Sequence, residues 1–154
     1  MTRAALVVAA GKGVRAGGTV PKQFAMLCGK PMLAHSVSAF SSHPAVAQTT
    51  VVIGEGQEDQ ARENLGESVS FVTGGAERRD SVRAGLEALT TQGVTRVLIH
   101  DAARPFLPAT VIDALLAALD HAPGAVPVLP VADTLATGDT TLGDNVPRAG
   151  LNRI

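Results

Sequence analysis

The sequence predicts an α/β protein with a mainly parallel sheet covered by helices on both faces, and three features predict it. Short β-branched runs alternate with segments of helical spacing. Most of the strand candidates hold a continuous apolar run rather than an apolar residue at every second position, as strands buried on both faces do. A length of 154 residues suits one domain with a real core. The strand candidates are 5–9, 49–53, 68–72, 96–100 and 125–129. Between them 32–40, 57–65, 81–90 and 109–119 read as helices. In the last, Val111, Ile112, Leu115, Leu116 and Leu119 share one face, and Pro108 precedes the first turn, where its missing N–H costs nothing.

In such sheets ligands bind outside the carboxyl ends of the strands. The two clusters richest in chemistry, 11–22 and 101–105, each follow a strand candidate and so open onto one rim. Beyond Pro130 the pattern changes: 132–150 is rich in Thr, Gly, Asp and Pro and has no core periodicity. It reads either as a surface loop or as an extended arm that leaves the domain to reach a partner.

Composition excludes several classes. Net charge is −1 with no run of Lys or Arg, so no nucleic-acid footprint is expected. There is no Trp or Tyr to build a base-stacking platform. Cys28 stands alone, which rules out a disulfide framework or thiolate metal cluster and marks it as a small core or turn residue in a reducing cytoplasm. The apolar start, 4–10, is short and runs into Gly11-Lys12-Gly13, which is not a small-residue cleavage site. No apolar stretch approaches the roughly 20 residues that span a bilayer, so a soluble protein is expected.

Ala9-Ala10-Gly11-Lys12-Gly13-Val14-Arg15-Ala16 follows the first strand. Gly11-x-Gly13-x-x-Ala16 imitates a dinucleotide-binding fingerprint, but Gly17-Gly18 and Pro21 break any helix there. The ribose-binding acid expected about 20 residues onward is also missing, as is the Gly-Lys-Ser/Thr ending of a P-loop. What remains is a long loop whose glycine amides can form a nest for phosphate oxygens. It carries cations at Lys12, Arg15 and Lys22: Arg15 suited to a bidentate grip, Lys22 a point charge whose backbone Pro21 constrains.

Ala-Ala-Gly-x-Gly-x-Arg followed by Pro21-Lys22-Gln23 resembles the nucleotidyltransferase signature of the glycosyltransferase-A-like fold. Gly74-Gly75-x-x-Arg78-x-Asp80-Ser81-Val82, His100-Asp101-Ala102-Ala103-Arg104-Pro105, Pro130-Val131-x-Asp133-Thr134 and Pro147-Arg148-x-Gly150-Leu151 follow in register. Together they resemble the 2-C-methyl-D-erythritol 4-phosphate cytidylyltransferases of the non-mevalonate isoprenoid pathway, over essentially the whole chain. The resemblance implies a three-layer α/β/α, Rossmann-like nucleotidyltransferase domain over 1–154 with a protruding β-arm at 132–150. It implies a magnesium-dependent reaction joining CTP to methylerythritol phosphate, with pyrophosphate released.

Residue by residue, Arg15 and Lys22 match the family's transition-state stabilisers, with Arg148 the third catalytic cation. Ala9, Ala10, Gly11, Gly13, Gly75 and Ser81 match nucleotide-binding positions, along with Arg15 and Lys22. Ser81 also reads as a helix N-cap. Asp101 and Arg104 match residues that hold the acceptor, and Asp101 is the candidate for Mg2+; a buried Asp101–Arg104 salt bridge is the plainer reading. His100 reads as a packing residue rather than a metal ligand, since no second His or Cys has ligand spacing. Thr134 and Arg148 match arm residues that reach the partner subunit's acceptor phosphate, which implies a homodimer with shared active sites.

The departures are few. Val14 stands where some relatives carry a second basic residue, and Ala76 replaces an acid found in others. Leu151-Asn152-Arg153-Ile154 stops before the Gln-Thr-Pro-Gln-like segment of the family, so the resemblance implies a domain truncated at its C-terminus. Some members continue into a fused 2-C-methyl-D-erythritol 2,4-cyclodiphosphate synthase, an arrangement the sequence leaves open. The alternatives are a cytidylyltransferase for another polyol phosphate such as ribitol 5-phosphate, a catalytically incomplete nucleotide-binding fragment and, remotely, a Rossmann dehydrogenase.

Overall fold

The computed structural model describes residues 1–11 and 20–154, and the chain divides into two compact units, Met1–Ala109 and Thr110–Ile154. The first unit starts with β1 (Arg3–Val8), in which Ala4, Ala5, Leu6 and Val7 are all fully buried. A short hairpin of β2 (Met26–Leu27) and β3 (Lys30–Pro31) leads into α1 (Met32–Ser41). Then come β4 (Gln48–Ile53), α2 (Glu58–Leu65), β5 (Ser70–Thr73), α3 (Arg78–Thr90) and β6 (Arg96–Asp101). Four of these strands form one parallel sheet in the order β5-β4-β1-β6.

Successive side chains of a strand point to opposite faces, so burial of the whole run of β1 means that both faces are covered. On one face Ala4 and Leu6 join Val52 and Leu89 in a single cluster, with Leu86 packed against it. That face belongs to α3, which packs on β1, β4 and β5. The approach is closest at Gly85, where an added Cβ would lie 2.4 Å from Leu6 Cδ1. The helix can sit that near the sheet only because the position lacks a side chain. The expected α/β fold, a central parallel sheet flanked by helices, is what forms.

The chain runs outward from β1 through β4 to β5, then returns across the sheet to lay β6 on the other side of β1. The order therefore reverses between β1 and β6, and the crevice at their carboxyl ends is where a ligand fits in this architecture. Val8 pairs with Asp101, so the segments after β1 and β6 leave the sheet side by side. This is the common rim anticipated for the two clusters.

The second unit holds α4 (Ala109–Ala118), with Ile112 and Leu116 buried, and four short strands. β7 (Leu129–Pro130) pairs antiparallel with β10 (Asn152–Arg153), and β8 (Leu135–Ala136) with β9 (Asn145–Val146). The registers Pro130↔Asn152 and Leu135↔Val146 nest one pair inside the other, so the segment 132–150 is the outer length of a single β-ribbon. The Thr137 N–H to Asp144 carbonyl bond, 2.8 Å, closes its tip. A salt bridge between Arg153 and Asp133, 3.8 Å, crosses it lower down.

Two expectations need correction. The strand expected at 125–129 does not join the sheet; only Leu129 enters a strand, and that strand is antiparallel. Pro127 in its middle has no N–H for a ladder. The third helix starts at Arg78 rather than at 81, because Arg78, Arg79 and Asp80 carry no apolar periodicity to reveal its first turn. For Cys28 the turn half of the expectation is the one that holds: it is an exposed residue with φ +49° at the tip of the β2–β3 hairpin. Among the described residues no helix is long and apolar enough to cross a membrane.

Candidate active site

The segment after β1 is held in place from below. The Ala9 N–H extends the ladder to the Val52 carbonyl at 2.7 Å, and Ala9 is buried. The buried Gln23 then takes over: its Nε2 donates to the Ala9 carbonyl at 2.7 Å and to the Gly11 carbonyl at 3.0 Å. Gln57 Oε1 lies 3.4 Å from the same nitrogen and accepts the Gly54 N–H at 3.1 Å, tying in the end of β4.

Gln23 belongs to a 3-10 turn, Lys22–Phe24, that opens after the extended Pro21. The Phe24 N–H bonds to the Pro21 carbonyl at 2.9 Å, and Phe24 is buried. With two of its three residues anchored, the turn presents Lys22 to solvent beside the loop that Gln23 clamps. Lys12, Gly13 and Arg15 lie outside the described residues.

The second loop follows β5. The Gly74 N–H continues the ladder to the Ile53 carbonyl at 2.7 Å. A Cβ at Gly74 would stand 2.6 Å from both Ala10 Cβ and Ser81 Oγ. Gly74 is thus the point where the loops after β1 and β5 and the first turns of α3 meet, and it brings Ala10 and Ser81 to its two sides. Ser81 does not cap the helix. It lies inside α3, fully buried, with Oγ donating toward the Glu77 carbonyl at 3.1 Å and the Gly75 carbonyl at 3.4 Å. The capping role falls to Glu77 and Asp80, whose carboxylate accepts the Glu77 N–H at 3.2 Å. Ser81 therefore holds the carbonyl of Gly75, a loop position, from within the helix.

The third element is the turn after β6. The Ala102 N–H bonds to the Val8 carbonyl and the Arg104 N–H to the Asp101 carbonyl, each at 3.0 Å, so the chain doubles back at once. The buried Ser36 hydroxyl of α1 fixes it further through the Ala102 carbonyl at 2.9 Å. His100 packs edge-on against Phe40, ring centroids 5.3 Å apart, and its Nε2 meets the Arg104 carbonyl at 2.9 Å.

The expected buried Asp101–Arg104 bridge is neither buried nor the nearer pair. Asp101 retains 35% of its side-chain exposure, and Arg104 Nε stands 3.7 Å from Oδ2. Arg78 is closer, with Nε at 3.1 Å and Nη2 at 2.8 Å from Oδ1. The reason is the turn itself, which swings Arg104 only part of the way back, while the first residue of α3 faces the end of β6. Of the sequence candidates, Ala10, Gly11, Lys22, Gly75, Asp101 and Arg104 therefore stand at one rim of the first unit, with Ala9 and Ser81 buried beneath it. Gln23, Gln57 and Arg78 join them as residues to which sequence reasoning gave no role.

Thr134 and Arg148 lie in the second unit, both exposed on the ribbon. Arg148 donates to the Ala132 carbonyl across it, and its own carbonyl accepts the Leu151 N–H at 3.0 Å in a tight turn. Among the described residues no group of three His, Cys, Asp or Glu side chains could cage a metal ion. Asp101 offers one carboxylate at the rim, the kind of donor that Mg2+ takes beside substrate phosphates.

A family model described as 2-C-methyl-D-erythritol 4-phosphate cytidylyltransferase matches residues 3–154. A bifunctional enzyme IspD/IspF of Rhizorhabdus wittichii is 61% identical over 98% of this chain and 39% of its own length. A 2-C-methyl-D-erythritol 4-phosphate cytidylyltransferase of Cereibacter sphaeroides is 48% identical over 90% of this chain and 63% of its own. The crystal structure of the cytidylyltransferase of that name from Thermus thermophilus superposes with a TM-score of 0.78 at 33% identity. It covers 99% of this chain and 67% of that one. The chain spans about two fifths of the length of the bifunctional relatives.

Proposed function

The chain belongs to the 2-C-methyl-D-erythritol 4-phosphate cytidylyltransferase family, and from that premise we propose that it transfers the cytidylyl group of CTP to 2-C-methyl-D-erythritol 4-phosphate. A phosphate oxygen of the acceptor attacks the α-phosphorus of CTP in line. The new P–O bond forms as the bond to the β-phosphate breaks, and pyrophosphate leaves. Such a reaction needs oriented reactants and preorganised positive charge rather than a covalent nucleophile.

The observation that carries the reading is the family match across 3–154, and the geometry of the rim agrees with it. The loop carbonyls of Ala9, Gly11 and Gly75 are fixed by buried side chains, as base recognition through backbone groups requires. Lys22 stands exposed beside that loop, with Arg15 assigned as its companion on the triphosphate. Asp101 and Arg104 are assigned to the acceptor. Asp101 would hold Mg2+ together with the substrate phosphates, and the ion would supply charge neutralisation on the triphosphate.

The ribbon is proposed as the dimer arm. It is exposed almost throughout and carries apolar side chains such as Leu142, 88% exposed, which favour cover by a second copy. Thr134 and Arg148 would then serve the partner's acceptor phosphate. A cytoplasmic enzyme suits both the CTP donor and the exposed free thiol of Cys28.

The test is pyrophosphate release from CTP with a panel of phosphorylated polyols, alongside calorimetric CTP binding. Methylerythritol phosphate should be preferred over ribitol 5-phosphate by at least tenfold in kcat/KM; equal rates would leave the acceptor assignment without support. The relatives found favour the first acceptor, since each is named for that reaction or for the bifunctional enzyme.

A further inference from the structure

We infer that Arg78 is a positioning residue of this reaction: from the first turn of α3 it sets the orientation of the Asp101 carboxylate. The inference rests on the cytidylyltransferase reading, and the geometry gives it three supports.

The first is the shape of the contact. Two nitrogens of one guanidinium, Nε at 3.1 Å and Nη2 at 2.8 Å, converge on a single oxygen, Oδ1. A planar fork held this way fixes both the position of Oδ1 and the direction of Oδ2. A lysine ammonium would supply the charge without the direction.

The second support is where the two residues stand. Arg78 opens the helix that carries Ser81, four residues after the Gly74 junction between the loops following β1 and β5. Asp101 closes β6, 23 residues along the chain. The pair therefore spans from the segment assigned to the nucleotide to the residue assigned to acceptor and Mg2+. An in-line transfer is sensitive to misplacement of about 1 Å, which can cost on the order of a hundredfold in rate. A link that registers the two half-sites against each other acts on that distance.

The third support is that the pair has little to do for folding. Arg78 keeps 63% of its side-chain exposure and Asp101 keeps 35%, and ion pairs this open contribute little stability. Arg104 on the far side, 3.7 Å from Oδ2, makes two guanidiniums around one carboxylate. The excess positive charge suits a rim that receives a triphosphate. Arg78 steers the carboxylate, and Arg104 is the partner that an arriving ligand on Oδ2 would displace.

The experiment compares wild-type protein with Arg78→Ala and Arg78→Lys. Both variants should melt within a few degrees of wild type, as expected for an exposed pair. Arg78→Ala should lower kcat/KM for the acceptor by roughly ten- to a hundredfold. Its KM for CTP should change less than about threefold, and Arg78→Lys should not restore the rate. Full rescue by Lys, or a loss of CTP affinity as large as the loss of acceptor kcat/KM, overturns the inference. So does a crystal structure of Arg78→Ala in which Asp101 keeps its rotamer, whatever the kinetics. Wild-type protein that binds no CTP, or releases no pyrophosphate with any acceptor, defeats the cytidylyltransferase reading instead.

Discussion

Gln23 reaches back 14 residues along the chain to donate its side-chain amide to the carbonyl of Ala9, at 2.7 Å and out of contact with solvent. The same nitrogen bonds to the Gly11 carbonyl at 3.0 Å, so one buried amide holds both ends of the Ala9-Ala10-Gly11 segment. The residue before it is Lys22. The clamp thus joins the proposed base-reading backbone to the proposed phosphate-binding ammonium, and neither can move without the other.

Replacing Gln23 by Glu keeps the shape and inverts the chemistry. A carboxylate would face two carbonyl oxygens in a buried place, with both hydrogen bonds lost. Stability should fall by about 2–4 kcal/mol, from the unpaired carbonyls and the buried charge together. Urea denaturation measures this, and a loss below about 1 kcal/mol would show that the clamp is dispensable.

Lys22→Ala should behave in the opposite way. The side chain is exposed, so the melting temperature should stay near that of wild type. Turnover should drop by at least about a hundredfold, the usual loss when one oriented charge-stabilising donor is removed. Steady-state kinetics at saturating CTP would check it, and an unchanged kcat would remove Lys22 from the chemistry.

Two glycines separate folding from function. Gly85→Ala places a methyl group 2.4 Å from Leu6, a fully buried residue under α3. The gain in helix propensity of up to about 1 kcal/mol is outweighed by overpacking, leaving a net loss of roughly 1–2 kcal/mol with kinetics intact. Gly74→Ala places its methyl 2.6 Å from Ala10 Cβ and Ser81 Oγ, so it pushes the two proposed nucleotide loops apart. Its KM for CTP should rise at least tenfold. If both variants lost only stability, Gly74 would be a packing position like Gly85.

These contrasts show which parts of the molecule can be read from its sequence. β1 and β4 are legible because they are buried along almost their whole length and carry continuous apolar runs, whereas β5 and β6 are legible from β-branched and apolar residues although parts of both stay exposed. The first turn of α3 is not, since Arg78-Arg79-Asp80 has no apolar face. Apolar composition alone suggests a strand at 125–129, and Pro127 is the contrary signal within it. Lys22, Asp101 and Arg104 were findable from residue type and motif. The residues that hold them were not: Gln23 acts on backbone carbonyls 12 and 14 residues away, and Arg78 on a carboxylate across the sheet's end. Pairings of that kind depend on how the strands are ordered. The one useful hint was that Pro21-Lys22-Gln23 places a large amide directly beside a candidate cation.

The proposed shared site makes a quantitative forecast for mixed subunits. Lys22 and Arg148 would act on the same substrates from different chains, so Lys22→Ala and Arg148→Ala should each abolish most turnover when expressed alone. In a twofold-symmetric dimer, a Lys22→Ala chain paired with an Arg148→Ala chain has one site that carries both defects and one that carries neither. Random pairing makes half of the dimers mixed, so co-expression should restore about a quarter of the wild-type sites. Activity of the co-purified mixture, compared with the two variants purified separately and then combined, measures this recovery. No recovery on co-expression, with dimers confirmed by sedimentation, would mean that Arg148 serves its own chain or no site at all. A recovery well below a quarter that scales with the measured fraction of mixed dimers would still support the shared site, because only the mixed dimer can contain an intact one.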